Sequence, residues 1–229
     1  MRQYKGLFFA IIIISLWVLS LFWLLNRQVS FTNPLTYVAI LWQMHLYTGV
    51  FITAHDAIHG VVVPQHKRLN YWIGFLCATL FAFNNYSKLS KKHHEHHKFV
   101  VSDKDPDYYD GNFFRWYLKF ALEYVTIWQI LLMAVSYNLL KLVFPMENLI
   151  LFWEIPAILS TLQLFYFGTY LPHRGEHAHN DPYKSRSQAL NHTLAFLSCY
   201  FFGYHHEHHA KPYLPWWKLA EAKEQTVEQ

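Results

Sequence analysis

Sixteen of the 229 residues are histidine, and ten of them fall in three clusters: His55-Asp-Ala-Ile-His59, His93-His94-Glu-His96-His97 and His205-His206-Glu-His208-His209. On a helix, residues four apart are neighbours on one face, so His55 and His59 can aim two imidazoles at one place. In each HHEHH run the i, i+3 and i+4 positions share an arc of about 100°, and so do i, i+1 and i+4. Spacing therefore leaves open which three of the four histidines act together. A lone histidine is most simply a satisfied core residue or a solvated one, but three helically spaced groups are not. A catalytic zinc takes three protein ligands and a structural one four, so these imidazoles exceed a single tetrahedral site. Imidazole suits iron, copper, zinc and nickel. Eight or nine ligands shared between two ions leave room for an exogenous ligand such as dioxygen. The acids in and after the clusters suit a supporting role, in which a carboxylate fixes the tautomer and orientation of a ligating imidazole. Asp56, Glu95, Asp107 and Glu207 are expected there, and Asp105 follows the second cluster, as does Asp103, which reads equally well as solvated charge.

The elements that must position these residues are long and apolar. The chain is 53% hydrophobic and 15% charged, against about 25% charged in an ordinary soluble domain. That composition excludes a disordered chain. With only Cys77 and Cys199, each in an apolar run, a disulfide scaffold is excluded as well. Apolar blocks cover residues 7–25, 34–54, 71–83, 122–144 and 149–171. Four have the roughly 20-residue length a helix needs to cross about 30 Å of hydrocarbon, whereas 71–83 is short and suits a re-entrant or half-embedded segment. A soluble helical protein is the plainer alternative, but block 7–25 holds no polar residue except two serines. That block follows Arg2 and Lys5, exceeds a signal-peptide core, and is followed by Asn26-Arg27-Gln28 rather than a small-residue cleavage site, so it reads as a retained span. The expected fold is all-α: a single integral membrane domain over 1–229, with four spans, one re-entrant segment and a His-rich cap holding a two-metal site.

Four spans leave both termini on one side, which collects every Lys and Arg except Arg27 and Lys141, 17 of the 19. The positive-inside rule makes that side, with the metal site, cytoplasmic in a cell membrane. The net charge of +4 thus reads as topology and not as nucleic-acid binding. The tail from residue 221 to 229 is polar and is expected to fray.

Histidine boxes HxxxH, HxxHH and HxxHH in this order around paired spans resemble the membrane fatty-acid desaturase and hydroxylase superfamily. Several segments are similar to the bacterial β-carotene ketolases: His55-Asp-Ala-Ile-His59-Gly60, Asp105-Pro-Asp107, Phe167-Gly-Thr-Tyr-Leu-Pro-His173-Arg174, and Phe202-Gly-Tyr-His-His-Glu-His-His209 running on to Pro215-Trp-Trp-Lys218. The similarity covers roughly residues 40 to 220 and is loosest across 175–192. The ligand set it implies is His55, His59, His93, His96, His97, His205, His208 and His209, with His173 as a ninth and His192 as its rival. His94 and His206 fall outside that set. His45 lies 14 residues before His59, about 21 Å along a helix, too far to share its metal, and reads as a residue facing the bundle interior or a pocket wall.

The resemblance also implies chemistry. Two iron ions with O2 as co-substrate would oxidise C4 of a carotenoid β-ionone ring twice. The resulting geminal diol loses water to leave a ketone. Electrons would come from a separate donor such as ferredoxin and its reductase, because the chain has no flavin or GxGxxG nucleotide fingerprint. A carotenoid ring hydroxylase or an acyl-lipid desaturase or hydroxylase would use the same site. A metal transporter would place its ligands near the bilayer midplane, whereas these clusters lie at the ends of the apolar blocks.

Overall fold

The computed structural model describes residues 4–227, so Arg2 and residues 228 and 229 lie outside the described residues. Among the described residues the chain is all-helical, without strands. Three helices are long and apolar enough to cross a membrane: α1 (Lys5–Leu25), α2 (Pro34–Ile58) and α7 (Met146–His173). At 1.5 Å per residue the shortest of them spans about 31 Å. Pro34 sits in the first turn of α2, where its missing N–H costs nothing, and the Asn33 side chain caps the helix by accepting from Leu35 N at 3.0 Å. The fourth expected span differs from expectation. Residues 122–144 are not one helix: α5 (Phe113–Tyr124) and α6 (Ile127–Leu140) meet at 84° around Val125-Thr126. The physical reason is local. Thr126 accepts from Gln129 N and caps a new helix, which requires extended backbone at the cap.

The short segment is α3 (Lys67–Leu80), 14 residues or about 21 Å long. It lies against α2 and ends in a turn where Ala82 and Phe83 adopt left-handed backbone. The chain then folds back as α4 (Tyr86–Phe99), with Tyr86 packed on Gly74 and its ring 5.4 Å from that of Tyr71. Short helices α8 (His192–Cys199), α9 (His205–Ala210) and α10 (Leu219–Val227) complete the chain. The expected fraying of the tail is corrected for residues 221–227. They continue α10, which is held by buried Leu219 and Ala222 and by Lys223, whose Nζ lies 3.2 Å from Glu207 Oε1.

Inside the bundle, polar side chains join helices. Thr48 on α2 and Ser160 on α7 share a 2.9 Å hydrogen bond, and Ser20 on α1 donates to Gln43 on α2 at 2.6 Å. Asn148 donates to the carbonyls of Leu24 and Arg27 at 2.9 and 2.7 Å, tying the start of α7 to the end of α1. The outer faces are the reverse: Phe22 and Leu19 on α1 and Trp128 and Val135 on α6 are exposed. Such a surface suits hydrocarbon rather than water. Gly6 anchors α1 on the α2–α3 connection, since a Cβ there would sit 2.2 Å from the Val62 carbonyl oxygen. Gly6→Ala must move backbone, so we expect a loss of about 1–3 kcal/mol, read as a lower melting temperature of the detergent-solubilised protein. An unchanged melting temperature would refute the contact.

Candidate metal centre

Helix α2 ends in the first cluster. His55 lies in its last turn and His59 is its C-cap with helical backbone, so the two rings stay on one face with centroids 4.9 Å apart. Asn85 caps α4 by accepting from Lys88 N. Helix α4 then turns His93 and His96 inward and leaves His94 exposed, its Nδ1 2.7 Å from the Ser90 carbonyl. His173 is the last residue of α7, and α9 is little more than the third cluster itself.

These elements bring eight imidazoles into two groups of four. One comprises His55, His59, His93 and His208; the other comprises His96, His173, His205 and His209. Within each group the donor nitrogens lie within 4.8 Å of one another. His97 stands between the groups, its Nε2 3.0 Å from that of His208 and its ring stacked 4.3 Å from that of His209. The structure thus brings together all nine histidines expected there. His192 is elsewhere, with its nitrogens 3.1 Å from Tyr204 Oη and 2.9 Å from Glu224. His206 Nδ1 lies 3.0 Å from the Ser185 carbonyl, outside both groups. His45 stacks at 4.4 Å on Tyr200 as part of the bundle wall.

The donor set fits metal ions. Nε2 atoms approach at 2.8 Å (His59–His93), 3.0 Å (His173–His205 and His205–His209) and 3.2 Å (His96–His209). Imidazoles about 2.0–2.1 Å from one ion have nitrogens roughly that far apart. His55 Nε2 is buried with no hydrogen-bond partner, a cost that a metal bond would remove. Burial, reinforced by the neighbouring imidazoles, holds His93, His205, His208 and His209 well below the ordinary histidine range, which keeps their lone pairs free of protons.

His96 behaves differently. Burial pulls it down, but the Asp105 hydrogen bond and the charges of Asp107 and Asp105 leave it raised. Asp105 is the residue the supporting set omitted. Its Oδ1 lies 2.9 Å from His96 Nδ1 and accepts from Asp107 N, while Oδ2 accepts from Val101 N at 2.9 Å. The Asp105-Pro-Asp107 run was the available signal. Asp107 accepts from Tyr124 Oη at 2.5 Å and lies 3.9 Å from His96 Nδ1; burial pushes it up to about 6. Asp56 Oδ1 is 3.4 Å from His55 Nδ1, and its Oδ2 accepts from Trp216 N at 3.0 Å, so the Pro215-Trp-Trp ending braces the first cluster. Two expectations are corrected. Glu95, on the outer side of its helix, pairs loosely with Lys91 and Lys92, each at 3.9 Å. Glu207 faces Ser187 and Lys223, because the odd position of HHEHH points away from both imidazole groups. The loop after α7 closes the back of the site: His173 Nδ1 donates to the Lys184 carbonyl at 2.8 Å, and Arg186 N to Pro172 O at 3.0 Å.

On the opposite side a cavity of about 400 Å³ reaches the histidines. His55, His93, His96 and His205, drawn from both groups, line one end. Its walls are apolar, with Phe51, Phe81, Phe120 and Leu164 among them. Ile130 on α6 and Ile158 on α7 line it while also being exposed, so it opens sideways between those helices.

The fatty acid desaturase family matches residues 32–127 and 114–229. A β-carotene ketolase of Paracoccus sp. (strain PC1) is 40% identical over 205 residues, 88% of this chain and 84% of that protein. A zeaxanthin 4-ketolase of Chlamydomonas reinhardtii is 39% identical over 227 residues, 96% of this chain and 51% of that protein. A β-carotene ketolase of Haematococcus lacustris is 39% identical over 188 residues, 78% of this chain and 59% of that protein. The chain therefore spans only about half the length of the algal relatives. No solved structure matches it.

Proposed function

The chain belongs to the fatty acid desaturase family, and from that premise we propose that it is a membrane oxygenase converting the C4 methylene of carotenoid β-ionone rings to a ketone. One observation carries the reading: an apolar cavity open to the side of the bundle ends on histidines from both four-imidazole groups. The names of the relatives, β-carotene and zeaxanthin ketolases, supply the substrate class.

We assign two iron ions to His55, His59, His93 and His208 and to His96, His173, His205 and His209, with His97 between them. What an iron pair supplies when bound is the activation of dioxygen, which side chains cannot provide. The protein's own part is geometric. Phe51, Phe81 and Phe120 wall the cavity and exclude water from it, while Asp105 and the Lys184 carbonyl fix the rings of His96 and His173. The cavity accommodates one ring and the adjoining polyene, and the remaining polyene leaves between Ile130 and Ile158 into the lipid. Two electrons per oxidation come from a separate donor such as ferredoxin with its reductase. The Lys-rich side, with the histidines and both termini, faces the cytoplasm of a cell membrane.

The test is pigment chromatography of a β-carotene-accumulating bacterial host expressing the chain. Mono- and diketone peaks with red-shifted absorption are expected. An alcohol at C3 would move the chain to the ring hydroxylases. Unchanged β-carotene alongside iron-loaded protein in the membrane would reject the substrate in favour of acyl lipids.

A further inference from the structure

Besides the histidines, polar side chains line the cavity, among them Asn84, Asp107, Tyr124, Gln129 and Thr169; of these, Thr169 lies one helical turn before His173 in the chain. Asp107 and Tyr124 are bonded to each other. Thr169 is 4% exposed and makes no side-chain hydrogen bond among the described residues. This sets it apart from Thr53, Thr79 and Thr161, three other helical threonines, whose hydroxyls each donate to the carbonyl four residues back at 2.8–3.0 Å. Thr169 lies instead in a π-helical turn, Tyr166–Tyr170, where backbone bonds reach five residues back, as Leu171 N does to Tyr166 O. Such turns displace the i−4 carbonyl and are frequent at functional sites.

Its position is defined from two sides. Thr169 precedes His173 by four residues, about one turn, and His173 Nε2 is 3.0 Å from that of His205. Its neighbour Gly168 lies flush against Phe202, where a Cβ would meet the ring at 2.5 Å. The Phe202 ring in turn lies 4.8 Å from His55 and 5.1 Å from His205. A bulkier residue at 168 would lift α7 off Phe202 and carry Thr169 away from the histidines.

Resting on the ketolase reading, we propose that Thr169 is a specificity-determining residue: its hydroxyl receives the 3-hydroxyl of a hydroxylated β-ring. The carbon to be oxidised faces the histidines, and C3 is bonded to it, so a C3 substituent falls among the groups bordering them. Thr169, one turn before His173 and beside the Gly168–Phe202 contact, has a donor and an acceptor to spare there. A ring filling the cavity covers the Thr169 hydroxyl, and a hydroxyl buried without a partner is costly on either molecule, so pairing the two removes both costs. An unsubstituted ring leaves Thr169 unpaired, so the wild-type cavity favours the hydroxylated ring.

The experiment compares wild type, Thr169→Val and Thr169→Ser in membranes offered equal amounts of unsubstituted and 3,3′-dihydroxylated β-rings, with metal content measured in each. Thr169→Val, close in shape, is expected to lower kcat/KM for the hydroxylated ring about five- to tenfold and to leave the plain ring unchanged or improved. Thr169→Ser restores the preference. An unaltered ratio in Thr169→Val overturns the proposal. So does an equal loss on both rings with metal retained, which would place Thr169 in a step common to both substrates. Absence of ketone from either ring in iron-loaded wild type rejects the ketolase reading itself, and this role with it.

Discussion

His208→Ala is expected to abolish ketone formation while the protein remains in the membrane. The His208 imidazole has the rings of His55, His59 and His97 within 4.6–5.0 Å, and its Nε2 is 3.0 Å from that of His97. His208 is the member of the first group that α9 supplies, and with His59 and His93 it packs against His97 between the groups. Losing an outer partner of a ligand typically costs 10–100-fold in metal affinity or activity, so removal of a ligand should exceed ~100-fold. Bound metal per chain should fall along with product, as read by elemental analysis of purified protein. His94→Ala is the matched control: it lies on the same surface of the protein but is exposed and outside both groups. Normal ketone output from His208→Ala would remove His208 from the ligand set.

The second large effect is expected at Asp105, which binds no metal in this reading. Its carboxylate is fully committed: one oxygen to His96 Nδ1 and Asp107 N, the other to Val101 N. The hydrogen bond at Nδ1 leaves the lone pair of Nε2 directed at His209, 3.2 Å away. Asp105→Ala frees the ring to turn, frees its tautomer to change and unties the 101–107 loop. A 10–100-fold loss of activity or metal affinity follows, with the deficit in the second group. Asp105→Asn keeps an acceptor for Nδ1–H and should recover most of it. Equal damage from Ala and Asn would show that the charge, and not the orientation, is what His96 requires.

Much of this was legible because it depends on covalent spacing. His55 and His59 are four apart on a helix and must share a face. Residues 7–25 can be satisfied only by an apolar surrounding, and α1 forms over Lys5–Leu25. The fourth span was less legible. Hydropathy over 122–144 is continuous, but the Thr126 side chain caps a new helix and the chain turns by 84°. Hydropathy averages over such single hydrogen bonds. The tail was misread for a related reason: its polar composition conceals Leu219 and Ala222, which have a surface to bury against only once α8 and α9 are in place.

By itself, then, the sequence determined that this chain is helical, largely apolar, and supplied with imidazoles in three helically spaced clusters. Periodicity and composition act over a few residues and suffice for that. Only the tertiary structure decided how the clusters divide. Each HHEHH run serves both groups: His93 with His208 in one, His96 with His205 and His209 in the other. It also decided that His173 and not His192 joins them, and that Asp105 and not Glu95 supports His96. Those choices depend on the angles at which α2, α4, α7 and α9 meet. Side chains adjacent on one helix point about 100° apart, so whether two imidazoles share an ion is settled by which helix lies opposite each of them.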